Sequence, residues 1–329
     1  MQNWLAELDG RRIAVEVPAT SANLGAGFDC LGLALDLTNR IEVEVRGWSR
    51  GEIELSIEGE GQLELTEDRN NRFVRGLEAA LIAVRGALPD GVGWRITMNN
   101  GIPLARGLGS SAAATVGGLL AGNALAGDML AGNAVAGGTL APRDLLRLAT
   151  EIEGHPDNAA AALLGGFVVS AATDDGIEAV RFDTPRDLRC VVFIPDLRLS
   201  TEAMRRALPE TVPLRDAVAN LGRVAIGVAG LAGRRTDLFR ILTVDQLHEP
   251  YRAAVYPQLP RLVEAAREAG ALGACLSGSG STVIAFTNRV GAIHRIEAAF
   301  SAVAADTDLP GRVAVVAPRN AGATIVARG

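Results

Sequence analysis

The sequence contains no lysine, so all 32 of its basic side chains are arginine. That absence removes whole mechanisms: no Walker lysine can reach nucleotide phosphates, no protein-kinase lysine can pair with them, and no Schiff base can form with PLP or a carbonyl substrate. Cysteine is nearly as scarce. Cys30, Cys190 and Cys275 are odd in number and far apart, which fits neither a disulfide framework nor a thiolate zinc site and points to a reducing compartment. Positive charge is in deficit too: a net charge of -6 argues against a broad hold on nucleic acid. The longest apolar stretch, residues 112–142, is mostly Ala and Gly and is broken by Asn123, Asp128 and Asn133, so no membrane span is expected. The opening MQNWLAELDG carries two acidic residues and no apolar run ahead of a small-residue cleavage site. It does not read as a signal peptide, and the expectation is a cytoplasmic protein.

What is present suffices for a folded protein with a buried core. The 329 residues, 48% hydrophobic, allow two domains of ordinary size with buried cores. Period-two alternation in RRIAVEVPA, in IEVEV (41–45) and in EIELSIEG (52–59) predicts antiparallel strands with one wet face. Phe73, Leu77, Leu81 and Val84 predict a helix over 71–88, GVGWRITMNN a strand, and APRDLLRLATEIEG a helix opened by Pro142. LLGGFVVSA and CVVFIPD read as strands, 201–208, 215–233 and 256–270 as helices. GACLSGSGSTVIAF reads as strand, turn and strand, followed by a helix and a last strand, VAVVAP. This order suggests an α+β layered protein, divided near 173–176 where TDDG breaks the pattern. LAGNALAGDM and LAGNAVAGGT (120–139) are a near-duplicate. Two copies are too few and too short for a solenoid, and their glycines make a rigid helix costly, so an inserted or lengthened helix end is expected.

Four segments carry candidate chemistry. PLARGLGSSAAA (103–114) is a glycine-rich turn running into small, helix-compatible residues. Gly107 and Gly109 let the backbone approach closely, and exposed amides at a helix start suit a polyanion. Ser110 and Ser111 add hydroxyls for a triphosphate or its magnesium, and Arg106 a cation. Taken alone, the segment is equally a Gly/Ser turn before an Ala-rich helix. PATSANLGAGFDCLGLAL (18–35) sets Ser21, Asn23 and Asp29 among glycines, where Asp29 could bind an ammonium, draw on a hydroxyl proton, or merely close an Asx turn. EIEGHPDN (151–158) gathers Glu151, Glu153, His155 and Asp157 at a helix end. Either glutamate could hold Mg²⁺, while His155 lacks a second histidine or thiol at ligand spacing and reads as a hydrogen-bonding residue. LSGSGST (276–282) repeats the small-residue theme late in the chain.

Together these segments resemble, in order and spacing over nearly the whole chain, the motifs of the GHMP small-molecule kinases. PATSANLGAGFDCLGLAL and EGHPDN resemble the homoserine kinase branch in particular. The resemblance implies a two-domain α+β fold. Residues 1–173 would form a ribosomal-protein-S5-domain-2-like α/β layer bearing the ATP phosphate loop, and 174–329 a ferredoxin-like α+β layer. It implies transfer of the γ-phosphoryl group of ATP to the hydroxyl of L-homoserine, an early step toward threonine, with Mg²⁺ as cofactor. ATP would lie on Pro103, Leu104, Ala105, Arg106, Gly107, Leu108, Gly109, Ser110, Ser111, Ala112 and Ala113, and Mg²⁺ on Ser110, Ser111 and Glu153. The substrate would meet Asn23, Asp29, His155, Thr201, Arg205 and Arg252, with Asp29 and Arg205 catalytic. Thr201 and Arg205 come from STEAMRRALPE, and Arg252 from HEPYR. Ala26 and Ser281 stand where the family usually has proline, which would loosen two turns without removing a functional group. A mevalonate kinase is a weaker match, because those enzymes usually pair their catalytic aspartate with a lysine. A GHMP-fold protein that binds nucleotide without turnover is the other rival. A homodimer is expected only from the commonness of two-fold assemblies.

Overall fold

A computed structural model describes residues 8–47, 51–88, 90–130 and 140–329. Its first half runs β1 (Arg12–Ala22), β2 (Leu31–Arg46), β3 (Ile53–Gly59), α1 (Arg72–Arg85), β4 (Gly93–Asn100), α2 (Ser110–Leu130), α3 (Pro142–Glu153), α4 (Asp157–Leu164), β5 (Phe167–Thr173) and β6 (Gly176–Phe182). The second half runs β7 (Arg189–Pro195), α5 (Thr201–Arg206), α6 (Leu214–Ala232), α7 (Phe239–Leu242), α8 (Glu249–Arg252), α9 (Leu259–Glu268), β8 (Gly273–Leu276), β9 (Val283–Thr287), α10 (Val290–Asp306), β10 (Gly311–Val316) and β11 (Thr324–Arg328).

The alternating segments build a mixed sheet in the order β11-β1-β2-β4-β3, with β5 on the other end of β2 and β6 beside β5. One expectation is corrected here: β3 lies parallel to β4, not antiparallel. A crossover through α1 joins them, and such a connection returns the chain in the same direction, whereas a tight hairpin would reverse it. The second sheet, β10-β7-β9-β8, is antiparallel throughout, and α9 and α10 cover one of its faces. The division expected between residues 173 and 174 falls inside a hairpin of the first sheet. β5 and β6 pair from Phe167↔Phe182 to Thr173↔Gly176, so TDDG is their turn and the passage to the second sheet follows Phe182. The last strand, β11, returns to pair with β1.

The glycines of α2 are explained by packing. A Cβ on Gly118 would sit 2.0 Å from the Phe73 carbonyl oxygen, one on Gly122 2.4 Å from that of Leu77, and one on Gly76 2.3 Å from that of Thr115. Helices α1 and α2 therefore meet backbone to backbone, and the lost helix propensity is offset by close approach. The first of the two near-duplicate segments lies within α2; most of the second falls outside the described residues. Among the described residues no helix is long and apolar enough to cross a membrane.

Two helix ends place the chemistry. α2 begins directly at Ser110, with the Gly109 carbonyl accepting the first helical hydrogen bond from the Ala113 amide at 2.9 Å. α3 starts at Pro142, after Ala141, whose amide donates to Asp144 at 3.1 Å, and stops at Gly154 in the left-handed conformation (φ +86°). Glu153 is thus the last residue of α3, and His155 and Pro156 turn the chain into α4.

Candidate active site

The first amides of a helix have no intrahelical acceptor, so the start of α2 presents free N–H groups and the positive end of its dipole. The preceding loop brings them to the surface of a cleft of about 240 Å³, lined by Pro103, Ala105 to Ala112, Glu153, His155, Thr201 and Gly278 to Gly280 among others. Gly107 (φ +74°) and Gly109 (φ +70°) are required by both conformation and space. A Cβ on Gly107 would lie 2.1 Å from the Ser277 carbonyl oxygen, and one on Gly109 1.9 Å from the Thr20 hydroxyl.

Those near contacts show how distant motifs interlock. Ser277 donates to the Gly107 carbonyl at 2.6 Å, the Thr282 amide donates to the Arg106 carbonyl at 3.0 Å, and the Thr20 amide donates to the Leu108 carbonyl at 3.0 Å. Thr20 also donates its hydroxyl to Asn158 at 2.8 Å, tying β1 to the start of α4. All four segments singled out in the sequence thus converge on one loop.

Glu153 and Glu151, left open by the sequence, are separated by geometry. Glu153 is largely buried at the cleft, and its Oε1 accepts from the Ser111 hydroxyl at 3.0 Å and the Thr115 hydroxyl at 2.6 Å, with Arg72 at 3.6 Å. Glu151 points outward and pairs with Arg147 at 2.5 Å. Ser110 lines the same cleft, but it is Ser111 that bonds Glu153. No cluster of three or more His, Cys, Asp or Glu side chains is found among the described residues. One carboxylate with hydroxyls beside a phosphate cradle is an all-oxygen set of the kind that suits Mg²⁺, which favours few protein carboxylates plus substrate phosphates.

Beside the cradle lies a second, charged group. Asp29, in the left-handed region (φ +55°), accepts from Arg205 on both oxygens, at 3.0 and 2.7 Å, and its own amide donates to Asn23 Oδ1 at 3.0 Å. Asn23 Nδ2 donates to the Gly278 carbonyl at 2.9 Å, joining the N-terminal segment to the late glycine motif. Arg205 and Arg252 both lie over the Phe28 ring, at 5.7 and 5.4 Å from its centre. Arg252 is buried, its Nε–H has no partner among the described residues, and burial followed by the like charge of Arg205 pulls its pKa down to about 10. The Arg205 guanidinium is held above its usual value, first by the hydrogen bond to Asp29. The cluster gathers two guanidiniums on one ring, with Asp29 committed to Arg205, Asp157 adding attraction to Arg205, and Asp245 and Glu249 adding attraction to Arg252. At its edge His155 Nδ1–H donates to Asp157 at 2.7 Å, which raises the imidazole pKa. Thr201 meets Ser279 hydroxyl to hydroxyl at 3.0 Å.

Comparison with known proteins matches the same regions. The model of the GHMP kinases N terminal domain matches residues 72–166, and that of the GHMP kinases C terminal residues 217–306. A homoserine kinase of Moorella thermoacetica is 42% identical over 95% of this chain and 99% of its own. The chain belongs to the homoserine kinase family of GHMP kinases. A family member from Symbiobacterium thermophilum is 47% identical over 74% of each chain. The crystal structure of homoserine kinase from Cytophaga hutchinsonii superposes with a TM-score of 0.81 at 30% identity, covering 96% of this chain and 97% of that one. Mevalonate kinase of L. major, at 13% identity and a TM-score of 0.66, shares the fold.

Against this family frame, two of the loop residues expected to bind ATP stand apart. Ala113 is buried in the core of the first sheet, and Leu104 turns toward Gly61 and a neighbouring depression. The remaining expected residues fall on the cleft or on the Asp29 cluster next to it. Arg72, Thr115, Phe28 and His248 join the site without a sequence pattern of their own that marks a role. Arg72 and Thr115 have ordinary helical neighbours and no local signature. Phe28 lies inside the N-terminal segment and His248 opens the HEPYR string, so both belong to motifs that carry other site residues.

Proposed function

We propose that this chain is an ATP-dependent homoserine kinase, which transfers the γ-phosphoryl group of ATP to the side-chain hydroxyl of L-homoserine to form O-phospho-L-homoserine and ADP. The observation that carries the reading is the coupling of an open amide cradle at Gly107 to Ser111 with a cluster of two arginines and one aspartate, joined through Asn23 and Gly278. Homoserine is a zwitterion. Its carboxylate answers the guanidiniums of Arg252 and Arg205, and its ammonium takes the place of the Arg205 guanidinium on Asp29.

Phosphoryl transfer runs through a loose transition state, so positioning and charge neutralisation supply most of the acceleration. The amides at the start of α2 take the phosphate oxygens, and the neighbouring glycines keep side chains out of their way. Glu153, oriented by Ser111 and Thr115, would hold Mg²⁺ with the phosphates. The ion, when bound, neutralises charge on the β- and γ-phosphate oxygens. Asp29 orients the attacking hydroxyl and accepts its proton as the new O–P bond forms and the bond to the β-phosphate oxygen breaks. Thr201 and His155 line the cleft that holds the amide cradle.

The test is ADP release by the purified protein with Mg²⁺ and ATP, comparing L-homoserine, L-serine and mevalonate. Release with L-homoserine well above the other two is expected. Release with none would favour a nucleotide-binding protein without turnover.

A further inference from the structure

Arg252 enters a buried position through a long, flexible side chain, and something must hold its guanidinium in one place. Phe28 covers one side of the group at 5.4 Å, but a ring face fixes distance and not rotation. The directional bonds come from elsewhere. Arg252 Nη1 lies 3.0 Å from His248 Nδ1 and 3.1 Å from the Gly278 carbonyl oxygen. On the far side of the same imidazole, His248 Nε2 lies 2.9 Å from the Gly25 carbonyl oxygen.

The two contacts settle the tautomer. A carbonyl can only accept, so Nε2 carries the proton and Nδ1 offers its lone pair to the guanidinium, which can only donate. A neutral ring is therefore needed. Complete burial pushes the His248 pKa down to about 4, against the opposing charge of Asp245, whose nearer oxygen lies 3.7 Å from Nε2. Asp245 is itself engaged by the amides of Leu247, His248 and Glu249 and by Asn220, which anchors the short α8 that carries Arg252. His248 also stacks on Phe28, with ring centres 5.1 Å apart. The ring thus touches Arg252 directly, the Phe28 platform that Arg205 and Arg252 share, and the N-terminal loop that carries Asp29.

We infer that His248 is a positioning residue for the substrate carboxylate: its Nδ1 lone pair fixes the rotation of the Arg252 guanidinium, and its Nε2–H ties that setting to the Gly25 loop. The inference rests on the reading of Arg252 as a substrate ligand. The two ring nitrogens have separable roles, because the amide of asparagine reaches about as far as Nδ1 and that of glutamine about as far as Nε2. His248→Asn keeps an acceptor for Arg252, His248→Gln keeps a donor for Gly25, and His248→Ala keeps neither.

The experiment measures KM for L-homoserine, KM for ATP and kcat in these three variants and in Arg252→Met with and without His248→Ala. It also records the NMR signals of the arginine side-chain N–H groups in the ligand-free protein. His248→Ala and His248→Gln should raise the homoserine KM roughly tenfold, the scale of one lost hydrogen bond, with kcat and the ATP KM within about twofold. His248→Asn should recover most of the loss, and the alanine change should add nothing once Arg252 is methionine. The Arg252 Nη protons should be resolved in wild type and His248→Asn and averaged in the other two. Recovery by glutamine instead of asparagine, equal effects on both Michaelis constants, or an undiminished penalty in the Arg252→Met background would overturn the inference. If alanine prevents folding, the asparagine–glutamine contrast decides alone. Resolved Arg252 signals in a wild-type protein that does not phosphorylate homoserine would sink the functional reading and leave the lock standing.

Discussion

Replacing Asp29 with asparagine separates its charge from its shape. The residue sits at φ +55°, a region asparagine adopts more readily than alanine, so Asp29→Asn preserves the loop while Asp29→Ala adds strain of about 1 kcal/mol. Asparagine retains one acceptor for Arg205 but sets an NH₂ group where the second guanidinium contact is now 2.7 or 3.0 Å long. The cost in stability is small: both partners are more than one-third exposed (38% and 36%), and a solvent-screened pair of this kind contributes below about 1 kcal/mol. Catalysis should suffer more. Loss of the proton acceptor and of the ammonium's partner should lower turnover about 10²-fold, or about 2.7 kcal/mol of barrier. The assay is ADP release at saturating Mg²⁺ and ATP over a homoserine titration, beside a urea melt of the same sample. Unchanged kcat at saturating homoserine, with the melt also unchanged, would refute the role given to Asp29.

Three further outcomes are expected. Gly107→Ala meets a carbonyl oxygen at 2.1 Å from a backbone at φ +74°, so ATP affinity should fall at least tenfold, with about 1–2 kcal/mol lost in thermal denaturation. Glu153→Gln should move the midpoint of the Mg²⁺ dependence of turnover upward about tenfold, while Glu151→Gln, at the surface with Arg147, should leave it in place. Asp157→Asn should lower the His155 imidazole pKa, followed by NMR titration, because the hydrogen bond to Asp157 is the largest cause of its elevation. An imidazole with a raised folded-state pKa stabilises fully below its unfolded value near 6.5, and loses that contribution as pH rises through the folded value. The wild type's advantage over Asp157→Asn in denaturant melts should therefore shrink from pH 5 to pH 8.

Much of this protein is local and could be read from the chain alone. The absence of lysine excluded several phosphate-binding mechanisms, period-two and period-3.6 patterns placed most strands and helices, and glycines at 107 and 109 marked a loop that cannot carry side chains. These features depend on neighbours within one turn or one strand, where the order of residues is itself the structure. Partnership between distant segments is different. Asn23 reaches Gly278 across 255 residues and Asp29 reaches Arg205 across 176, and only the path of the chain brings them together. The same path made β3 parallel to β4, turned TDDG into a hairpin and sent β11 back to the first sheet. It chose Glu153 over Glu151 because adjacent alternate positions on a helix face in different directions, one toward Ser111 and Thr115, the other toward solvent. It also gave meaning to the glycines of α2, since their value lies in the carbonyls of α1 that they touch, which no reading of α2 by itself could supply.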